Sequence, residues 1–211
     1  MKYQAILFDL DFTIHDECNY LKEIVVSSRI FDNPEKILNH ITYRFRIDSK
    51  NIINDILSLD SQLNKKNKNH IFCLMKEINI ELSCYNGILE MLNKFREKKN
   101  IKVGLVTNGV PEIQRNKLQC LGIEQHFDQI IFSKELGSEK PEHLPFEEAI
   151  KQFKVDPKLA LFVGDHPIND IQSACDVGMD TMWIDHLDNN NMVSTYKITD
   201  ANILADTITN L

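Results

Sequence analysis

Short apolar runs recur along this chain, and each stops at polar residues. Residues 3–8 (YQAILF) end at Asp9 and Asp11, and residues 101–106 (IKVGLV) end at Thr107, Asn108 and Gly109. Residues 129–132 (QIIF) form a weaker run. Residues 159–163 (LALFV) end at Gly164 and Asp165, and residues 180–184 (DTMWI) are a fifth candidate. Runs this short, bounded by turn formers, predict buried strands. Between them, residues 86–98, 111–121, 144–153 and 168–177 carry apolar positions three and four apart, as in Ile88, Leu89, Leu92 and Phe95. That spacing predicts amphipathic helices. Alternating strands and helices predict an α/β fold: a doubly wound parallel sheet with helices on both faces. Ligands bind such sheets beyond the carboxyl ends of the strands. The clusters Asp9–Thr13, Thr107–Gly109 and Asp165–Asp170 are therefore expected on one rim.

Residues 16–84 break the alternation. They hold no convincing strand and predict helices near 17–31, 34–47, 50–59 and 68–82, with Pro34 in a first turn and Asn33 as its N-cap. Asn64–Asn69 reads as an exposed loop. The expected division is a core of residues 1–15 and 85–211 with a helical insert at 16–84. Residues 200–211 read as a last turn and a short helix.

Composition narrows the classes. Of 211 residues, 43% are hydrophobic, enough for a packed core. The formal charge of -7 argues against a general nucleic-acid binder. Local cations and a metal still leave room for a small anionic substrate. The five cysteines form no C-x-x-C pair, which predicts reduced, mostly buried thiols. No stretch reads as a signal peptide or a membrane span, so a cytoplasmic protein is expected, with no membrane partner and as a monomer.

Four polar groups carry the candidate chemistry. Asp9 and Asp11 form D-x-D-x-T with Thr13, directly after the first strand. Thr107 and Asn108 offer a hydroxyl and loop amides for phosphate oxygens. Lys140 offers a point charge for an equatorial phosphate oxygen. Asp165 and Asp170 offer oxygen ligands for a hard cation. Each has an ordinary reading when taken singly: a solvated strand end, a common turn, a surface lysine, and a helix N-terminus with favourable acidic charge.

Together, FDLDFT, LVTNG, SKELGSEKP and VGDHPINDI resemble, in order and spacing, the four motifs of the haloacid dehalogenase superfamily. The likeness runs from Lys2 to about Ile184 and suits members with a small helical cap after the first motif. It implies a Rossmann-like core and a Mg²⁺-dependent phosphatase acting on a small phosphomonoester. By this resemblance Asp9 is the nucleophile, Asp11 the general acid and then base, and Thr13 positions the loop. Thr107 and the Asn108 amide hold the phosphoryl group, and Lys140 neutralises it. Mg²⁺ binds Asp9, the Asp11 carbonyl and Asp165, with Asp170 orienting the metal waters or Lys140. Phe12 and His166 depart from the usual motif residues. Phe12 is expected in local packing or at the substrate, and His166 as a bystander. His15 is expected as a solvated hinge residue, and Arg44 and Arg46 on a solvated helix face.

The same motifs leave three other functions in view. Capped phosphosugar mutases share all four. Haloacid dehalogenases use the same nucleophile without metal and usually lack the second acid, whereas Asp11 and Asp165 are both present. An inactive copy of the fold acting as a binding protein is the non-catalytic alternative.

Overall fold

The computed structural model describes residues 2–45, 52–59, 65–98, 101–188 and 193–211. Its centre is a six-stranded sheet in the order β3-β2-β1-β4-β5-β6. The strands are β1 (Ala5–Phe8), β2 (Lys102–Thr107), β3 (Gln129–Phe132), β4 (Ala160–Gly164), β5 (Asp180–Ile184) and β6 (Tyr196–Ile198). Every pairing is parallel. β1 lies between β2 and β4, and all four of its residues are buried. A strand covered on both faces has no polar side to alternate with, which is why AILF is uninterrupted.

Helices cover both faces. One face packs Phe8, Leu105 and Val163 against α5 (Ile88–Lys98), α6 (Pro111–Leu121) and α9 (Leu204–Thr209). The other packs Leu7, Val106 and Phe162 against α7 (Leu144–Phe153) and α8 (Ser173–Asp176). The first five strands fall where the apolar runs predict. β6 does not register as an apolar run: its three residues form an edge strand, and only Ile198 is buried. The predicted helix at 168–177 is a π-helical turn, Pro167–Gln172, running into α8.

Between β1 and α5 come α1 (Glu17–Ser28), α2 (Pro34–Phe45), α3 (Ile52–Ser58) and α4 (Lys65–Glu77). They share their own apolar cluster, including Tyr20, Ile24, Ile41, Ile56 and Met75, which also takes in Ile113 of α6. Asp16 caps α1 by accepting from the Cys18 amide at 2.8 Å, and Asn33 caps α2 by accepting from the Lys36 amide at 3.0 Å. The loop expected at Asn64–Asn69 is corrected: residues from Lys65 onward belong to α4, which ends at Glu77 rather than 82. Asn64 lies outside the described residues, as do Arg46 and the side chain of Arg44. Cys18, Cys84 and Cys120 are half-buried while Cys73 and Cys175 are exposed, which departs from the expectation of mostly buried thiols. Among the described residues no helix is long and apolar enough to cross a membrane.

Candidate active site

The carboxyl ends of β1, β2 and β4 meet around a cavity of about 200 Å³. Asp9 follows β1 directly, and its amide donates to the Val163 carbonyl at 2.9 Å. The chain then turns sharply. Phe12 takes φ 57°, the left-handed region that non-glycine residues seldom occupy. The Ile14 amide closes the turn on the Leu10 carbonyl at 3.0 Å. In this turn both Asp9 and Asp11 line the cavity. His186 pins it from outside, its Nε2 2.8 Å from the Phe12 carbonyl and its ring edge-on to the Phe12 ring. Phe12 is therefore packed locally and also lines the cavity. Thr13 is fully buried, and among the described residues its hydroxyl has no hydrogen-bond partner.

Lys140 is only 5% exposed, far from the surface lysine that its type alone suggests. Its Nζ lies 2.6 Å from Asp9 Oδ1 and 2.6 Å from Asp170 Oδ1. Asn108 holds its backbone: Asn108 Oδ1 accepts from the Lys140 amide and Asn108 Nδ2 donates to the Lys140 carbonyl. Gly164 ends β4 without a side chain because Asp170 occupies that space. An ideal β-carbon there would sit 2.6 Å from the Asp170 carboxyl. Asp170 Oδ2 accepts from the His166 amide at 3.0 Å. His166 Nδ1 accepts from the amides of Ile168 and Asn169, so this residue caps the turn that carries Asp170.

Charge is unevenly compensated. Burial pushes the Asp9 carboxyl up to about 7, with Lys140 pulling down and Asp170 and Asp11 pushing up. Asp165 is also held well above the usual range, by burial and then by Asp170 and Asp9. Burial opposes the charge on Lys140, but Asp170 and Asp9 outweigh it and raise its pKa. The carboxylates of Asp9, Asp165 and Asp170 bring one oxygen each within 4.8 Å of one another. At an effective dielectric of about 20, like charges about 4 Å apart repel by about 4 kcal/mol. One lysine cannot cancel three such carboxylates. Asp170 spends its oxygens on Lys140 and the His166 amide, while among the described residues no donor bonds the Asp165 carboxylate. A set of hard oxygen donors with surplus negative charge fits a divalent cation such as Mg²⁺.

The second carboxylate is set differently. Asp11 Oδ1 meets Lys117 Nζ at 2.8 Å and His15 Nε2 at 3.1 Å, and Oδ2 accepts from Gln114 Nε2 at 3.0 Å. Burial works against its charge, yet Lys117 and His15 hold the carboxyl well below the usual range. Lys117 also meets Glu17 at 2.7 Å. Gln114 reaches Thr107 Oγ1 at 2.8 Å and the Asn108 carbonyl at 3.0 Å. The expectation of a solvated His15 is corrected: it is 1% exposed and bonded to Asp11. Gln114, Lys117 and Glu17 escape sequence reading. Their only signal is that Gln114 and Lys117 are polar residues within the buried face of α6, beside Ile113 and Leu118.

The family model for haloacid dehalogenase-like hydrolases matches residues 6–184. A glyceraldehyde 3-phosphate phosphatase of Pyrococcus furiosus is 28% identical over 204 residues, covering 86% of this chain and 80% of that protein. A phosphoserine phosphatase of Thermus thermophilus is 38% identical over 88 residues, covering 42% of this chain and only 35% of that protein. In three dimensions, the magnesium-bound HAD-hydrolase YfnB from Bacillus subtilis superposes with a TM-score of 0.74 at 19% identity, covering 100% of both chains, a likeness of fold.

Proposed function

The chain belongs to the haloacid dehalogenase-like hydrolase family, and from that premise we propose that it is a Mg²⁺-dependent phosphatase of a small phosphomonoester. The observation that carries this reading is Lys140, buried and bridging Asp9 and Asp170 beside Asp165, whose carboxylate no described donor bonds. A phosphate dianion is repelled by a bare carboxylate, and this arrangement gathers the cations needed to let the two approach.

In the proposed reaction Asp11, held ionised by Lys117 and His15 in the free protein, takes up a proton as the phosphate enters. Asp9 attacks phosphorus in line and forms an aspartyl-phosphate while Asp11 gives that proton to the departing alkoxide. Asp11 then takes a proton from water, whose oxygen attacks the phosphorus and releases Asp9. Thr107 and the Asn108 amide hold the phosphoryl oxygens, and Lys140 neutralises Asp9 and the transferring group. Asp9, the Asp11 carbonyl and Asp165 would hold Mg²⁺, which supplies Lewis-acid neutralisation of phosphoryl charge. Asp170 orients Lys140, and Thr13 fills the base of the loop.

The same reading makes residues 16–84 a cap on a core of residues 1–15 and 85–211. Glu17 and Ile52 support it, since both line the cavity from the helical segment. A small space suits a sugar phosphate, a glycolate-type phosphate or a nucleoside monophosphate, and closure of the cap would exclude water from the attack on phosphorus. Carbon–halogen cleavage would need neither Asp11 nor Asp165 at this cavity. Phosphate release from a panel of phosphomonoesters, with and without Mg²⁺, tests the reading. Wild type is expected to release phosphate only with the metal and Asp9→Asn not at all. A folded wild type inert toward every ester would overturn it.

A further inference from the structure

The buried ionic cluster beneath Asp11 has no part in the mechanism above. Lys117 is 2% exposed, and each direction around its ammonium is taken: Asp11 at 2.8 Å, Glu17 at 2.7 Å and the Tyr20 ring 4.7 Å from its centroid. Asp11, His15 and Glu17 are close enough together to suggest a second metal site. The lysine already stands between the two carboxylates and supplies their cation.

Gln114 and Lys117 lie one helical turn apart on α6, so their side chains share a face. They grip the same carboxylate on opposite oxygens. An ionised carboxylate offers about four lone-pair sites, two on each oxygen. Lys117 and His15 fill both sites of Oδ1, whereas Gln114 takes one site of Oδ2. One site is left, on Oδ2, and Asp11 lines the cavity. Gln114 Nε2 also lies 2.8 Å from Thr107 Oγ1 and 3.0 Å from the Asn108 carbonyl, its two hydrogens shared among the three acceptors, which ties Asp11 to the loop proposed to hold the phosphoryl group.

We infer that Gln114 and Lys117 are positioning residues that fix the Asp11 carboxylate so that Oδ2 alone exchanges the proton with the leaving group. The inference rests on the phosphatase reading and on Asp11 as its acid. It explains why a helix buried against an apolar cluster keeps a charged residue there, although burying an ion pair seldom adds stability over apolar packing.

The test compares kcat/KM for two substrates of the Mg²⁺-loaded enzyme, because that ratio ends at the step that expels the leaving group. An alkyl phosphate needs the proton, whereas p-nitrophenyl phosphate expels a stable phenolate without one. Lys117→Met and Gln114→Leu are each expected to lower kcat/KM for the alkyl ester at least about tenfold more than for the aryl ester. A general loss of packing would lower both ratios alike, and thermal unfolding measured alongside shows whether the fold survives. Gln114→Leu, which removes no charge, carries the test if Lys117→Met does not fold. Equal losses on both esters, or an unchanged alkyl ester, overturn the positioning role. A wild type inert toward both esters sinks the phosphatase reading instead, so the two failures are told apart.

Discussion

Asn108 grips the backbone of Lys140 on both sides, accepting from its amide at 2.9 Å and donating to its carbonyl at 2.8 Å. This pairing spans the loops after β2 and β3 and sets where the buried ammonium points. Asn108→Ala leaves two backbone groups of a buried residue unpaired, at a cost of about 1–3 kcal/mol. Turnover is expected to fall roughly 100-fold as Lys140 drifts from Asp9. Calorimetry and phosphate release check the two effects separately, and unchanged turnover would refute the positioning.

Gly164 has a steric reason to stay glycine. A methyl group there runs into the Asp170 carboxyl, whose place beside Lys140 depends on that gap. Gly164→Ala is expected to cost about 1–3 kcal/mol from overpacking. It should also reduce activity more than an alanine at an exposed position such as Lys154. A variant as stable and active as wild type would show that Asp170 has room to move.

The metal-free protein is expected to lose stability as pH rises toward 8. Asp9 titrates near 7 in the fold against 3.8 ordinarily, so the folded state favours its protonated form. Its contribution is complete below about 3.8 and gone once pH has passed about 7, with a slope of at most about 1.4 kcal/mol per pH unit. Asp9→Asn removes the titrating group. Melting curves of wild type and variant in chelator should therefore draw apart between pH 5 and 8, with wild type declining faster. Parallel curves would contradict this.

Mg²⁺ is expected to raise the melting temperature at pH 8. A ligand at about 100 times its dissociation constant stabilises by about 2.7 kcal/mol. Asp165→Asn removes the carboxylate that no described donor bonds, so its Mg²⁺ response should vanish. A shift equal to that of wild type would place the cation elsewhere.

Much of the fold was legible because its signals are local. β1, β2 and β4 are covered on both faces, so each must be a continuous apolar run, and the sequence has three such runs. β6 has no such requirement at the edge of the sheet and left no run to read. In α4, the polar stretch from Lys65 looks like a loop. It forms a helix whose buried side is carried by Ile71 and Met75, so tertiary packing overrode a weak local pattern.

By itself the sequence determined the strand order along the chain, the four polar clusters at strand ends and the oxygen-rich, lysine-bearing chemistry they share. These follow from residue type and spacing. Only the tertiary structure decided which polar residues are buried, and with which partners. It turned His15 inward onto Asp11, brought Gln114 and Lys117 from a helix roughly 100 residues away to the same carboxylate, and packed Asp170 into the space left by Gly164. Burial and charge pairing depend on chain segments distant in sequence. A glutamine or lysine on a helix carries no local mark of the carboxylate it will meet.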